Sequence, residues 1–586
     1  MYTTDSLLLT KKHNMKKKLL LLVLLTQFIF AQNNATSFDW SFNAGGGFNT
    51  TKRLHYNSQG DLLCLISSGH QTTYGGTTVT DPGTSRTPGT ISFIGKRTQN
   101  GTSSVIIQRN TPNTTYATLD DFTVDNNDNI IVTGFTFGYD STVFYNFGNG
   151  ITLYGKGNFI AKYNPQGVCQ WATLVTYNLT GSLPYSENKA IALGVLPNND
   201  IYFANRSTNG NKPFWLLKLN SSGTEIWHKE WIITNSNTIG ISTSKNNFFF
   251  DNTGKAYFTV QSIFGDTVTV DGIVLTPPTG SHPTITSILT INNDGTNGLF
   301  STHRGTIADI AVEKATGNVI LDWRQYDQNP APFNTLPMAP NGTYQYIGIV
   351  ALNSNRNYIN SSTALFTNQF QSIYPLGNLN IVASSLMYPT ETLSIPGQSY
   401  TASKHTPTWK FFENFTMTKF IAHPEINGTN TASANTMALY NNKLAVSGSY
   451  DLANNTTITI NGTVLTTCDK DPNYATLYPS WTSLQNDVFI SQLSIGNSLD
   501  VKKDLFEDKK VSVYPNPAKN QINVTFDNTI NSAKLKVISL SGQTVFEKEN
   551  LSGTTFNFDI SSLSKGMYLI QVSNGFSTFN SKFLKK

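Results

Sequence analysis

Short stretches in which apolar residues run unbroken or alternate with polar ones recur along most of the chain, separated by turns rich in Asn, Asp and Gly. Residues 157–171, GNFIAKYNPQGVCQW, show the pattern best: an apolar run at 159–163, a turn at 164–167, and a second run that begins near Trp171. Short runs rich in β-branched and aromatic residues, bounded by Gly, Pro, Asn and Asp, predict β-strands. The chain is therefore predicted to consist of short strands.

The pattern repeats seven times, at intervals of about 64 residues. Each unit has an Asn/Asp/Gly turn, an apolar strand, a variable Gly/Thr-rich stretch and a second apolar strand, which is enough for a four-stranded antiparallel sheet. Such a sheet is apolar on both faces and needs a neighbour on each side, so a seven-bladed β-propeller is the predicted arrangement. The equivalent apolar positions are Leu62, Ile130, Ile201, Ala256, Val319, Leu379 and Leu444.

A half-unit at the beginning of the array predicts how the ring closes. Residues 38–47, FDWSFNAGGG, place Trp40 as Trp171 is placed in 157–171, and no first half precedes them. The seventh unit ends near Ser494 without a Trp-containing strand, so we expect the Trp40 segment to pair with residues 487–494. The alternative is an open solenoid, which would require a polar cap that Phe38 and Phe42 do not provide.

The units resemble the β-propeller repeats of secreted bacterial proteins. Residues 157–171 match the repeat's F-I-A-K-Y-x-x-x-G-x-x-x-W pattern, and residues 125–134 match its D-x-x-G/N-N-hydrophobic strand. Units one, five and six depart from these patterns, so the resemblance supports the fold more strongly than the number of blades. It implies a scaffold and no particular activity.

The composition agrees with an all-β protein. Charged residues make up 13% and aromatic residues 12%, and the abundant residues are those of strands and turns. The formal charge of +5 owes much to residues 1–31, which contain five lysines and one acid, so the remainder offers no basic groove for nucleic acid. Three scattered cysteines, Cys64, Cys169 and Cys468, are too few for a disulfide framework or a zinc cluster; they are interpreted as strand or core residues, and a single distant disulfide pair stays open.

Residues 1–31 have the three parts of a secretory signal peptide. A basic run at 16–18 precedes an apolar run at 19–30 and the small residue Ala31, so cleavage is expected between Ala31 and Gln32. The alternative is a transmembrane anchor, but the apolar run is about 12 residues and a span needs about 20. We expect no transmembrane span in the mature chain, which would begin with the propeller at 32–495.

A charged segment at 496–510 predicts a linker, and residues 511–586 predict a separate small C-terminal β-sandwich. This module resembles the type A C-terminal sorting domain of the type IX secretion system of Bacteroidetes, in several motifs and in the basic tail Lys585-Lys586. The resemblance implies the secretion machinery as a partner and a location outside the outer membrane, either secreted or on the cell surface. The motif residues are Tyr514, Pro515, Asn516, Pro517, Gly542, Gly566 and Tyr568.

No catalytic or cofactor-binding residue can be assigned from the sequence. The histidines lack metal-ligand spacing, and the nucleophile motif G-x-S-x-G is absent. Residues 125–129 (DNNDN) and 292–295 (NNDG) offer oxygen ligands for calcium, but neither has the full EF-hand series. Turns between strands are the favoured interpretation of both, and calcium remains a weak alternative.

Three functions remain open. The favoured one is a non-enzymatic exported propeller that binds an extracellular polysaccharide or surface protein through loops on one rim. The alternatives are a secreted hydrolase or lyase of carbohydrate polymers with a site at the propeller axis, and a structural surface component. Aromatic residues are candidate sugar-stacking platforms, although packing between blades explains most of them. These are Trp215, Trp227, Trp231, Trp323, Trp409, Trp481, Tyr326, Tyr344 and Tyr346.

Overall fold

In a computed structural model of the chain, the described residues form 44 β-strands and contain no helix. Contacts divide the chain into two compact units, residues 1–499 and 500–586. The structure describes residues 38–45, 50–68, 71–80, 91–108, 116–137, 144–155, 157–175, 188–207, 213–234, 238–242, 249–263, 268–275, 284–325, 346–362, 370–403, 406–422, 433–451, 457–460, 463–466, 486–495, 511–539, 543–573 and 578–586.

The first seventeen strands along the chain, of which β1 belongs to the last blade, are β1 (Trp40–Ala44), β2 (Thr50–Tyr56), β3 (Leu62–Ser68), β4 (Gln71–Tyr74), β5 (Thr77–Thr80), β6 (Ile91–Arg97), β7 (Ser103–Gln108), β8 (Tyr116–Val124), β9 (Ile130–Phe137), β10 (Phe144–Gly148), β11 (Ile151–Tyr154), β12 (Gly157–Tyr163), β13 (Cys169–Val175), β14 (Asn188–Val195), β15 (Ile201–Ser207), β16 (Pro213–Leu219) and β17 (Glu225–Thr234).

The remaining blades comprise β18 (Thr238–Ser242), β19 (Phe249–Phe250), β20 (Ala256–Ile263), β21 (Val268–Val270), β22 (Ile273–Leu275), β23 (Thr284–Ile291), β24 (Ser301–Arg304), β25 (Thr306–Val312), β26 (Val319–Gln325), β27 (Tyr346–Leu352), β28 (Tyr358–Ser361), β29 (Phe370–Gly377), β30 (Asn380–Met387), β31 (Thr392–Ile395), β32 (Gln398–Thr401), β33 (Thr406–Glu413), β34 (Thr416–Ala422), β35 (Ser433–Tyr440), β36 (Lys443–Asp451), β37 (Thr457–Ile460), β38 (Thr463–Thr466) and β39 (Asn486–Ser494).

Seven sheets of at least four strands recur among these strands, and we call them blades 1 to 7. Blade 1 has the order β2-β3-β6-β7, blade 2 β8-β9-β12-β13, and blade 7 β35-β36-β39-β1. Packing between the first strands joins blade 1 to blades 2 and 7, and similar contacts or shared cores join each later blade to the next. The described sheets therefore form the ring of a β-propeller, whose blades bury apolar residues on both faces.

The N-terminal strand lies in the last blade. Strand β1 pairs antiparallel with β39, with Trp40 opposite Gln492 and Ala44 opposite Val488. The hydroxyls of Ser41 and Ser491 are 2.8 Å apart across this pair. Hydrogen bonds thus join the two ends of the array within one sheet.

The sixth unit differs from its predicted boundaries. Leu379 has φ +61 and lies in the turn, so Ile381, opposite Phe412, occupies the position predicted for Leu379. The sequence predicts the segment 415–422 as the second apolar strand of this unit. In the structure this segment contains β34, the fourth strand of the sheet, and the third strand is β33. Strand β33 begins with TPT and therefore does not stand out in the sequence as an apolar run.

The C-terminal unit contains β40 (Val511–Tyr514), β41 (Gln521–Ser539), β42 (Thr544–Asp559), β43 (Gly566–Ser573) and β44 (Thr578–Lys585). The first half of β41 pairs with β40, and its second half pairs with β43. The two halves share one core that includes Val524, Val537 and Phe583. All the described strands of this unit therefore enclose a single small apolar interior, as a β-sandwich does.

Candidate functional site

The first strand of every blade carries a β-bulge, which lies at the same register in six blades and two residues farther along the second strand in blade 4. In each case one extra residue interrupts the register with the second strand. Bulges redirect neighbouring side chains and are frequent beside functional sites. The seven extra residues are Lys52, Asp120, Ile191, Ile239, Ala308, Gln371 and Asn435.

Side chains next to these bulges join neighbouring blades at the axis. Nη1 of Arg53 donates to Oδ2 of Asp121 at 2.5 Å, and Asp121 also accepts the backbone amide of Leu193 in blade 3 at 2.9 Å. Asp309 accepts the amide of Ile373 in blade 6 at 2.7 Å. Burial raises the pKa of Asp121, while Arg53 and the backbone amides oppose that rise. These carboxylates satisfy edge amides that lack a ladder partner.

Two of the bulge residues form an ion pair of their own. Nζ of Lys52 lies 3.1 Å from Oδ1 of Asp120 and donates to the carbonyl of Leu119 at 2.7 Å. The hydroxyl of Thr118 donates to the same carboxylate oxygen at 3.2 Å. At this end of the axis, the described acidic side chains of blades 1 and 2 are therefore already engaged with cations and backbone.

At the other end of the first strands, His55 lies within electrostatic reach of Arg53 and of Lys314 in blade 5. Burial, with a contribution from Arg53, lowers the pKa of His55 to about 4, so its ring is neutral at pH 7. Nζ of Lys314 lies 4.8 Å from the centre of the Phe250 ring, and none of the described acids forms an ion pair with it. Lys314 and His55 thus provide one ammonium and a neutral imidazole, with no pair of carboxylates for acid–base catalysis among these described side chains.

The Asn- and Asp-rich turns use their side-chain oxygens internally. Oδ1 of Asp125 accepts the amides of Asn127 and Asn129, each at 2.9 Å, and Oδ2 lies 2.8 Å from Nζ of Lys162. Asn164 makes the same pair of amide bonds in its own turn. Among the described residues, no group of three or more His, Cys, Asp or Glu side chains is arranged to bind a metal. The geometry therefore favours the turn interpretation over calcium.

The candidate aromatic platforms divide into packing residues and residues without a described side chain. Trp323 and Trp409 are fully buried, so their assignment to a solvent-facing platform is wrong. Trp227 packs on Gly295 of the next blade and donates to the carbonyl of Asn293 at 3.0 Å. The residues Trp481, Tyr326 and Tyr344 lie outside the described part of the chain, and the side chains of Trp215, Trp231 and Tyr346 are not described.

The sequence reasoning missed the hairpins inserted between the second and third strands of five blades. They are β4–β5, β10–β11, β21–β22, β31–β32 and β37–β38, and their position in the topology places them at one end of the propeller. In β31–β32, Thr392 stands opposite Thr401 and Ser394 opposite Ser399, and all four side chains are exposed. In β10–β11, Tyr154 is 70% exposed.

The hairpins turn their other face inward. Tyr145 and Phe147 of β10 are buried against Phe159, and the side chain of Gln398 in β32 bonds the backbone of Phe420 in both directions. Opposite residues of an antiparallel pair share a face. The hairpins are therefore anchored on one side and present hydroxyls and an aromatic ring on the other. A repeated hydrophobic-x-G-x-x-[V/L]-T pattern, as in 460–466 (INGTVLT), was the signal available in the sequence.

In the C-terminal module, the Tyr-Pro-Asn-Pro motif holds the last strand. Asn516 donates to the carbonyl of Lys582 and accepts the amide of Leu584, each at 3.0 Å. Tyr514, Pro515 and Pro517 are exposed beside it. On β43, Gly566 precedes Tyr568, whose hydroxyl donates to the carbonyl of Ser564 at 2.9 Å. Gly542 lies outside the described residues, as do Ala31 and Gln32 of the expected cleavage site.

Comparison with known families assigns this module. Residues 512–586 match the secretion system C-terminal sorting domain. The match covers the terminal module and not the propeller. Because this domain directs export, the protein is secreted or attached to the cell surface. Within the part that the structure describes, no helix is long and apolar enough to span a membrane.

Comparison with solved structures finds distant similarities, and no curated protein matches the chain. A protein of unknown function from Dyadobacter fermentans is 8% identical, with 78% of this chain and 98% of that chain covered at a TM-score of 0.33. A polysaccharide lyase, the PL25 ulvan lyase, is 10% identical over 69% of this chain and 93% of its own, with a TM-score of 0.34. Superpositions this loose carry no argument about activity.

Proposed function

We propose that the protein is an exported, non-enzymatic scaffold that binds an extracellular polysaccharide through the hairpin-bearing end of its propeller. The observation that carries the proposal is the outward face of the hairpins. On β31–β32 four exposed hydroxyls form two cross-strand pairs, and Tyr154 on β10–β11 is the most exposed of the large apolar side chains described. Hydroxyls that donate and accept hydrogen bonds, together with an aromatic ring, are suited to sugars.

The chemistry of the axis supports binding over hydrolysis. A glycosidase needs two carboxyl groups that reach the same bond, one of them free to transfer a proton. Asp121 and Asp309 each accept a backbone amide of a neighbouring blade, and Asp120 pairs with Lys52. Removing any of them from these bonds would leave buried donors unsatisfied at a cost of about 1–3 kcal/mol each.

The test is co-sedimentation of the exported protein with insoluble or cross-linked polysaccharides, neutral and anionic, together with an assay for released oligosaccharides. Tyr154→Ala and the double variant T392A/T401A are expected to weaken binding at least fivefold. Val168→Ala is the matched control, because Val168 is 45% exposed in a turn at the opposite end of blade 2. Equal binding by all variants would contradict the proposed surface, and steady release of oligosaccharides would identify an enzyme instead.

A further inference from the structure

The outward face of the last two strands of the sorting module is apolar where most of its neighbours are polar. Met567 stands opposite Leu584 across β43 and β44, and these side chains are 44% and 38% exposed. In the next row, Ile538 of β41 stands opposite Leu569, and both are half-buried. The intervening residues Tyr568, Ile570 and Phe583 point into the core. We call Ile538, Met567, Leu569 and Leu584 the apolar face.

Lysines border this face along its outer edge. Lys582 stands directly opposite Leu569, and Lys582 and Lys586 are both exposed. Residues 560–586 contain no Asp or Glu, so no acid within the two terminal strands neutralises these lysines. The glutamates of β42 lie on the far side of β41, where Glu547 and Glu549 pair with Lys534. A surface with an apolar centre and a basic border fits a partner of the opposite charge.

The Asn516 segment covers the end of the β44 edge, so the surface that a partner can contact there is the apolar face. A partner can bind a sheet by adding a strand to its free edge. The end of β44 is already occupied: Asn516 bonds Lys582 and Leu584, Ala518 donates to the carbonyl of Leu584 at 2.8 Å, and Lys586 donates to the carbonyl of Ala518 at 2.8 Å. The Tyr-Pro-Asn-Pro motif and the residues after it therefore cover the end of this edge beside the apolar face.

We propose that the apolar face, with Lys582 and Lys586, is the surface by which the sorting module docks on the secretion machinery, and that the machinery presents an apolar patch bordered by carboxylates. This inference rests on the assignment of residues 512–586 as a sorting domain. Exposed apolar side chains grouped on one face mark interaction sites more often than isolated ones do. The lysines would guide the approach, and the apolar residues would supply the buried contact.

The experiment measures export of the full chain in a bacterium that has this secretion system, as the ratio of extracellular and surface protein to protein retained in the periplasm. M567D/L584D and K582E/K586E are each expected to lower this ratio at least tenfold. The controls T555D and K548E change exposed residues of β42 in the same module, away from the apolar face, and are expected to stay within twofold of the unchanged chain.

A chain that lacks residues 511–586 distinguishes failure of the sorting role from failure of the proposed docking face. Normal export of this deletion would refute the sorting role itself. Retention of the deletion combined with normal export of M567D/L584D or K582E/K586E would refute the docking face alone. Equal loss of export with T555D or K548E would also overturn the inference, because the effect would not depend on this face.

Discussion

His303 shows how burial sets the chemistry of a single residue. Its side chain lies on β24, where Nε2 is 3.1 Å from the Ser301 hydroxyl and the ring meets Trp323 edge-on at 6.1 Å. Burial, followed by the nearby Arg356, lowers its pKa to about 4. The histidine is therefore neutral in the folded protein over most of the pH range, and its role is packing between strands.

This pKa predicts a pH dependence of stability. The pKa of an unfolded histidine is about 6.5, so between about pH 6.5 and pH 4 the unfolded chain binds a proton that folded His303 does not. The free energy of unfolding should therefore fall as the pH is lowered through this range, by up to about 3 kcal/mol from this residue. Denaturant titrations of the propeller at pH 7 and pH 4.5 measure it. His303→Gln should reduce the difference, and parallel profiles would refute the prediction.

At the same scale, the tryptophans show what residue type alone does not reveal. The sequence identified Trp40 and Trp171 as equivalent, and the register places them opposite Gln492 and Lys162, which occupy the same position in their blades. The sequence places Trp323 and Trp409 among the candidate sugar-stacking platforms, but both side chains are wholly buried. A strand that is apolar on both faces gives no periodicity to separate its two sides, so exposure could not be read from the pattern.

At the scale of elements, partly or wholly buried lysines bind the turns of the blades, and two of them reach the next blade. Lys96, Lys162 and Lys218 occupy one position on the third strands and pair with an aspartate in the turn of their own blade. Lys162 also donates to the carbonyl of Ser221 in blade 3 at 3.2 Å. The lysine of the F-I-A-K-Y pattern thus has a structural explanation: it bonds two blades at once.

Removing the partner of such a lysine should be costly. Asp125→Ala leaves the ammonium of Lys162 buried without its carboxylate, and we expect the free energy of unfolding to fall by about 3–5 kcal/mol. The control Asn164→Ala, in the exposed turn of the same blade, should cost about 1 kcal/mol. Urea denaturation measures both, and D125A/K162M should recover part of the loss.

Because Asp125 is fully engaged in hydrogen bonds and an ion pair, EDTA should not change the melting temperature of the protein. A melting temperature that rises with calcium in the unchanged chain, but not in D125A, would contradict this account.

The elements that the sequence failed to reveal share a physical cause. The second and third strands of the blades are long apolar runs, whereas the first strands are interrupted by bulges and by polar residues such as Arg53 and Asp121. A bulge shifts the alternation by one residue, so the period-two pattern breaks at the axis. The residues that join the blades there, including Asp309, could not be found from periodicity for this reason.

At the scale of the whole molecule, the pairing of β1 with β39 closes the ring. Trp40 of this pair meets the guanidinium of Arg97 in blade 1 at 4.7 Å, just as Trp171 and Trp227 pack on turn glycines of their next blades. We call the junction of β1 and β39 the seam. The tryptophan of the outermost strand therefore contacts the next blade at the seam, as it does within the array. The seam is made by hydrogen bonds and packing, and no covalent bond joins its two sides in the described residues.

A disulfide across the seam tests closure directly. Ser41 and Ser491 stand opposite each other with their hydroxyls 2.8 Å apart, so S41C/S491C should form a disulfide that spans 450 residues. Constraining so long a loop is expected to raise the free energy of unfolding by up to about 6 kcal/mol. Non-reducing electrophoresis would detect the bond, and thermal unfolding with and without reductant would measure its effect.

A second disulfide within one blade provides the comparison. Ser287 and Thr302 also stand opposite each other, with hydroxyls 3.2 Å apart, but they are separated by only 15 residues. S287C/T302C should therefore add about 3 kcal/mol, and its bond can form whether or not the ring is closed. If only this second disulfide forms, β1 does not pair with β39 in solution. If both form but stabilise the propeller equally, the length of the constrained loop does not set their effect, and the expected difference of about 3 kcal/mol is wrong.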